Sequence, residues 1–288
     1  MNEQFTTASS LTKGIDHFVI DVRDGIEEAE QTYRLLGFHL SERGHHTLGS
    51  VNHLIVFGDH YLELLGFGVE AEQKRPDIAN YPVGLNGLVF SANDVKDLYA
   101  SLLNLEIPAQ LPQYFSRPVK TNDGTADAKF EVVRLIPGLT SYARIYFCHH
   151  VTPQLVWTPE SQHHPNGVFQ ISRIRIASNN PSHSAALPRI ILGEKPNGMD
   201  QNAASLQAGE ITLDFVSANA VDSGLMAIWP EAHGREEYMA TMTFQTVSLE
   251  QTFNVLRTNN IAGVSMSPNR ILVAASSAVN VGLEFIEG

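Results

Sequence analysis

GIDHFVIDV (14–22), the segment DGIEEAEQTYRLLGF (24–38) behind it, and YLELLGF (61–67) further on decide how the whole chain is read. The first is short, apolar and rich in β-branched and aromatic residues, the composition of a strand. In the second, Ile26, Ala29, Tyr33 and Leu36 recur at helical spacing, and Gly37 stands where a helix C-cap would lie. Phe38–Arg43, Asn52–Phe57 and Tyr61–Leu65 read as strands separated by Gly or polar turns. The order is βαβββ.

The order returns along the chain. Leu85–Ala92 reads as a strand and Asp94–Leu105 as a helix with Val95, Leu98, Tyr99, Leu102 and Leu103 on one face, followed by strands at Phe130–Ile136 and Arg144–His150. Residues 106–129 form a long Pro- and Asp-containing connection where the second strand of this unit is expected. A weaker copy begins at Phe169–Ala177, with a helix in Pro181–Leu192 that Pro188 shortens or breaks, and strands at Ser205–Gln207 and Ile211–Val216. The last copy has a strand at Tyr238–Thr246 and a helix at Ser248–Asn259, where Ser248 and Gln251 form a capping box. Its strands are Val264–Ser267, Arg270–Ala275 and Gly282–Glu287, and LEFI (283–286) and LDFV (213–216) echo LELL (62–65). About four βαβββ modules with a period of roughly 70 residues imply an α+β fold in two halves, each a curled sheet made from two modules. The halves are 14–157 and 168–288, and the boundary lies in TPESQHHPNG, Thr158–Gly167.

Hydrophobic residues make up 43% and charged residues 17% of the 288, enough apolar content for a sizeable core. The formal net charge of −12 repels a phosphate backbone, which argues against nucleic acid as a partner. Cys148 is the single cysteine, so no intrachain disulfide forms, and a reducing compartment suits it. The N-terminal MNEQFTTASSLTKG lacks a basic start followed by an apolar run, and the apolar stretches are strand-sized. The expected location is the cytoplasm, with no membrane partner.

GIDHFVIDV, a helix ending in LLGF, and YLELLGF together resemble the glyoxalase-like branch of the vicinal oxygen chelate superfamily. The resemblance covers nearly all of 14–288 as a module pattern and is specific at motif level over about the first 165 residues; FCHHVTPQLVW (147–157) and HHPNG (163–167) also look like family text. It implies that paired modules curl into a cleft where His and Glu side chains hold a divalent metal (Zn, Mn, Fe or Ni). A small-molecule substrate then chelates the ion through adjacent oxygens. His17 matches the family's first-strand ligand and Glu63 its fourth-strand glutamate. Aligning GIDHFVIDV with GLNGLVFSA (84–92) puts Gly87 where a second first-strand histidine is usual. The nearest replacement is in the pair His149–His150. Neighbours on a strand face opposite ways, and His150 shares the face of Tyr146 and Cys148, so His150 is taken as the third ligand.

The expected function is a metal-dependent lyase, isomerase, hydrolase or dioxygenase, with His17, Glu63 and His150 on the ion and His53 or His149 moving protons. The alternatives are a metal-free protein that binds or sequesters small molecules in the same cleft, favoured by Gly87 and the aromatic residues Phe18, Tyr61, Tyr146 and Trp157, and a scaffold whose sites have decayed. Arg43, His45, His46, Asn52 and His53 cluster in RGHHTLGSVNH (43–53). Without the resemblance, a satisfied core or loop histidine is the commoner explanation at each of these positions. In the second half, Asp214 and Glu284 match Glu63 but no histidine accompanies them, so this half is expected to be metal-free and to support the fold or a homodimer.

Overall fold

The computed structural model describes residues 10–67, 78, 81–121, 124–195 and 202–288. Its strands form two sheets that follow chain order. The first module supplies β1 (Ile15–Arg23), α1 (Ile26–Leu35), β2 (Gly44–His45), β3 (Ser50–Phe57) and β4 (His60–Phe67); the second supplies β5 (Gly84–Ser91), α2 (Val95–Asn104), β6 (Gln113–Thr121), β7 (Gly124–Arg134) and β8 (Arg144–His150). Their order is β2-β3-β4-β1-β5-β8-β7-β6, with β1 and β5 antiparallel at the centre, so each module runs outward from the shared seam.

Two expectations are corrected here. Phe38–Arg43 makes no strand, and the pairing starts only at Gly44–His45. The second strand of the second module does exist: it is β6, inside the stretch read as connection, where exposed polar residues on an edge strand blurred the alternation. The edges β2 and β6 meet, with the Thr47 amide donating to the Ser116 carbonyl at 3.0 Å and the Ser116 amide to the Thr47 hydroxyl at 3.3 Å. The sheet therefore curls round a chamber.

The second sheet contains β9 (Val168–Ser178), α3 (Pro181–Ser184), α4 (Ala186–Leu192), β10 (Ala203–Ala208), β11 (Ile211–Val216), α5 (Ser223–Ala227), β12 (Glu237–Thr246), α6 (Leu249–Thr258), β13 (Val264–Ser267), β14 (Arg270–Val273) and β15 (Gly282–Glu287). Its order is β10-β11-β9-β12-β15-β14-β13, so among the described residues the third module pairs three strands instead of four. The third-module helix is split into α3 and α4, with Pro188 in the first turn of α4, where a missing N–H costs nothing.

Alternation along β1 sorts its side chains. Phe18, Ile20 and Val22 enter a core that runs continuously from the first sheet into the second and includes Ile171, Ile174, Phe244 and Phe285, whereas Val19 enters a smaller cluster inside the first sheet with Leu54, Tyr61, Phe130 and Tyr146. The HHPNG stretch is the junction between the sheets. His164 ties this stretch to the first half by accepting from the His39 amide at Nδ1 (3.0 Å) and donating from Nε2 to the Val56 carbonyl (3.0 Å). Asn166 is wholly buried. Its side chain donates to the Leu36 carbonyl (3.0 Å) and accepts from the Val168 amide (3.1 Å), and its own carbonyl accepts from Thr252 (2.8 Å). Gly37 sits against it at φ +87°, and a Cβ there would lie 2.7 Å from Val255 and 2.8 Å from Asn166. The close packing at the junction therefore requires the glycine read as a helix C-cap. No helix among the described residues is long and apolar enough to cross a membrane.

Candidate active site

The chamber of the first sheet has a polar lining that includes His17, His46, Asn52, Glu63, Arg117 and Tyr146. The β1–β5 register shifts between Ile15 and His17, so Asp16 occupies a bulge. A bulge re-aims side chains. It lets the adjacent Asp16 and His17 interact on the inner side of the strand: His17 Nδ1 lies 2.5 Å from Asp16 Oδ1, and the same oxygen is 3.1 Å from His150 Nε2. Burial alone would raise the Asp16 carboxyl, but His150 and His17 outweigh it and hold the group at about 2. Asp16 is therefore ionised near neutrality. As an acceptor it takes the His17 Nδ1–H and leaves Nε2 directed into the chamber.

Nε2 of His17 meets the Tyr146 hydroxyl at 3.1 Å and Glu63 Oε2 at 3.8 Å, and the ring stacks on Tyr61 with centroids 4.4 Å apart. Glu63 is buried on β4, and its other oxygen accepts from Asn52 Nδ2 at 2.6 Å. Asn52 also donates to His46 Nε2 (3.3 Å), while His46 Nδ1 reaches the Ser50 hydroxyl (2.8 Å). Each of the two chamber-facing donors, His17 Nε2 and Glu63 Oε2, is thus oriented from behind by a second polar group.

The remaining expected residues lie elsewhere. His150 is inside the sheet, as its shared face with Tyr146 and Cys148 requires, but it bonds Asp16, does not line the chamber, and is covered by Trp157 at 4.6 Å. His53 points outward to α1: Nδ1 donates to the Ser41 carbonyl (2.8 Å) and Nε2 lies 3.1 Å from Glu30. His149 points outward too, with Nδ1 at 3.0 Å from the Ala92 carbonyl. The chamber brings together neither His53 nor His149. It does bring together Asn52, His46 and Arg117, with Asp16 behind His17. The sequence signal for Asp16 was an Asp-His pair inside an apolar strand; Arg117 lay in the stretch read as connection and carried no signal.

Register identifies the counterparts in the second module. Val19 pairs with Glu63 and Val89 with Tyr146, so Tyr146 stands where a second fourth-strand carboxylate would be. At Gly87 a Cβ would fall 2.5 Å from the Val19 Cβ, so Val19 fills the space of the missing histidine. Gly87→Ala is expected to cost about 1–3 kcal/mol through overpacking, read as a lower melting temperature, with recovery when Val19→Ala is added. In the second sheet, arginines face the matching carboxylates: Arg175 Nη1 lies 2.7 Å from Glu284, and Arg173 Nε lies 3.1 Å from Asp214. Guanidinium groups there supply the positive charge against these acids.

The donor set fits a metal ion in part. His17 Nε2 and Glu63 Oε2 are close enough to share one ion, and an imidazole backed by a carboxylate is the usual support of a metal-ligating histidine. A second set, Asp16, Cys148 and His150, has ligand atoms within 4.8 Å of one another. In it, burial pushes the Cys148 thiol up, keeping it neutral, and Asp16 is already matched by two imidazoles.

Paired βαβββ modules curled round a chamber that carries His17 on the first strand and Glu63 on the fourth define a protein of the vicinal oxygen chelate type. The glyoxalase-like domain family matches residues 15–190, and the chain belongs to that family. No curated protein matches the chain. Among solved structures, a hypothetical protein from Staphylococcus aureus is similar at TM-score 0.66 and 10% identity, covering 95% of this chain and 99% of its own. A 4-hydroxymandelate synthase variant from Streptomyces coelicolor follows at TM-score 0.57 and 10% identity, covering 96% and 92%. A fusion of a xylose isomerase-like TIM barrel with 4-hydroxyphenylpyruvate dioxygenase reaches TM-score 0.58 at 11% identity over 100% of this chain and 51% of its own. At such identities the likeness shows the fold alone.

Proposed function

We propose that the chamber is the active site of a metal-dependent enzyme acting on a small molecule with adjacent oxygens, and that His17 and Glu63 hold the ion. The observation that carries this reading is the pair of inward-facing donors 3.8 Å apart, each braced from behind, His17 by Asp16 and Glu63 by Asn52. When bound, a divalent ion acts as a Lewis acid on the substrate's oxygens. Asp16 keeps the His17 lone pair directed inward. His150, expected as a third ligand, acts through Asp16 as a positioning residue. Tyr146 offers a hydroxyl 3.1 Å from His17 Nε2 that can donate to a substrate oxygen; burial raises it and keeps it protonated. Proton transfer, expected of His53 or His149, passes to His46, whose ring lines the chamber. Elemental analysis of protein purified without chelator tests the reading. A near-stoichiometric divalent metal is expected; its absence after adding back Zn, Mn, Fe and Ni sinks the proposal.

A second reading, a metal-free small-molecule binding protein, is favoured by Tyr146 at the fourth-strand position and by Val19 filling the space at Gly87. Ligand affinity that survives chelation would favour this reading.

A further inference from the structure

Arg117 lies on β6, the strand that closes the sheet against β2, and it lines the chamber. The residue is only 4% exposed, and its Nε is buried without a hydrogen-bond partner. Among the described residues no carboxylate lies within 4.0 Å of the guanidinium. The carboxylate acting on it most directly is Glu63, whose oxygens already serve Asn52 and His17. Gly44 keeps space beside it, since a Cβ there would sit 2.8 Å from Arg117 Nη1. A buried cation without a counterion is costly, and burial without a partner adds nothing to stability. The planar fork of N–H groups is suited to a carboxylate. The walls beside it are apolar: Leu48, Leu54, Leu65, Phe115, Phe130 and Val132.

We infer that Arg117 makes the chamber selective for small organic acids with an apolar body, their carboxylate taking the guanidinium's unpaired N–H groups. The inference rests on the chamber being the ligand site, and it names the substrate class; it does not require the ion. In the ligand-free protein Arg117 carries an unmatched buried charge, and the acid supplies the match.

Calorimetric titration of the full chain with phenylacetate and with phenylacetamide, its neutral counterpart of the same shape, tests the inference on the wild type, Arg117→Met and Arg117→Lys. The wild type is expected to bind the acid about 10- to 100-fold more tightly than the amide, the difference made by a charge-assisted contact. Arg117→Met is expected to erase that preference, keep its metal content and melt at a higher temperature than the wild type without ligand. Arg117→Lys keeps part of the preference. Equal binding of acid and amide by the wild type, an undiminished preference in Arg117→Met, or no binding of either probe overturns the inference. Absence of metal together with an intact acid preference would instead sink the metal-dependent reading alone.

Discussion

His17→Ala is expected to empty the chamber of its ion, with metal content falling to background, and Asp16→Asn to weaken metal affinity by a smaller step of about 10–100-fold. The order follows from the geometry. His17 Nε2 and Glu63 Oε2 both face the chamber, 3.8 Å apart, so either His17→Ala or Glu63→Gln removes one of the two proposed ligands. Asp16 does not face the chamber directly. It holds the His17 proton on Nδ1 through a 2.5 Å contact and is itself held by His150 at 3.1 Å. An Asn amide keeps the shape but loses the charge that orients both rings. Metal affinity measured by competition with a chromogenic chelator ranks the three variants. Cys148→Ser supplies the opposing case: it should leave metal content unchanged, because the neutral buried thiol belongs to the Asp16–Cys148–His150 set. Loss of metal in Cys148→Ser with retention in His17→Ala would move the ion to that second set and reject the chamber pair.

Asn166→Ala is expected to cost about 3 kcal/mol without changing the chamber. The substitution leaves the Leu36 carbonyl and the Val168 amide without their partner in a wholly buried junction, at about 1–3 kcal/mol for each unsatisfied group. In a chain of this size that is a fall of roughly 6–12 °C in melting temperature. Calorimetry beside metal analysis checks it; an unchanged melting temperature would mean that the junction does not hold the two sheets together.

The same junction sets an acid limit. Burial pushes His164 down from 6.5 to about 4. Above pH 6.5 the ring is neutral in both folded and unfolded chains, so the junction keeps its full stability. As pH falls below 6.5 the unfolded chain takes up a proton that the folded one refuses until about pH 4. Stability is lost across that interval, to about 3 kcal/mol at one unit per 1.36 kcal/mol. His53, also lowered by burial, contributes in the same direction. Asp16 acts later: its folded value of about 2 against 3.8 gives stability that is complete above 3.8 and lost as pH drops towards 2. Denaturant midpoints of the wild type and His164→Gln between pH 8 and 4 separate the terms. The variant should start less stable and lose less; parallel curves would remove His164 from the acid limit.

The amino-acid order by itself determined the repeated βαβββ units, because strand and helix periodicities are local and the core faces of β1, α1, α2 and α6 repeat at the spacings that the buried residues require. His17 and Glu63 were singled out by the family resemblance, each a polar residue inside an apolar strand. Alternation correctly put His150, and not His149, on the inner face. The rest depended on pairing between distant segments. The bulge at Asp16 arises from the β1–β5 register and changes which side chains meet, and simple alternation cannot express it. β6 has the weak pattern of an exposed edge strand, so the chamber's closure and the burial of Arg117 appear only once β2 and β6 meet. His53 was a sound choice by residue type, but α1 packs on its side of the sheet and takes it with Glu30. HHPNG gained a role only when His39, Val56 and Leu36 closed round it, because hydrogen-bond partners more than a hundred residues apart leave no trace in local spacing.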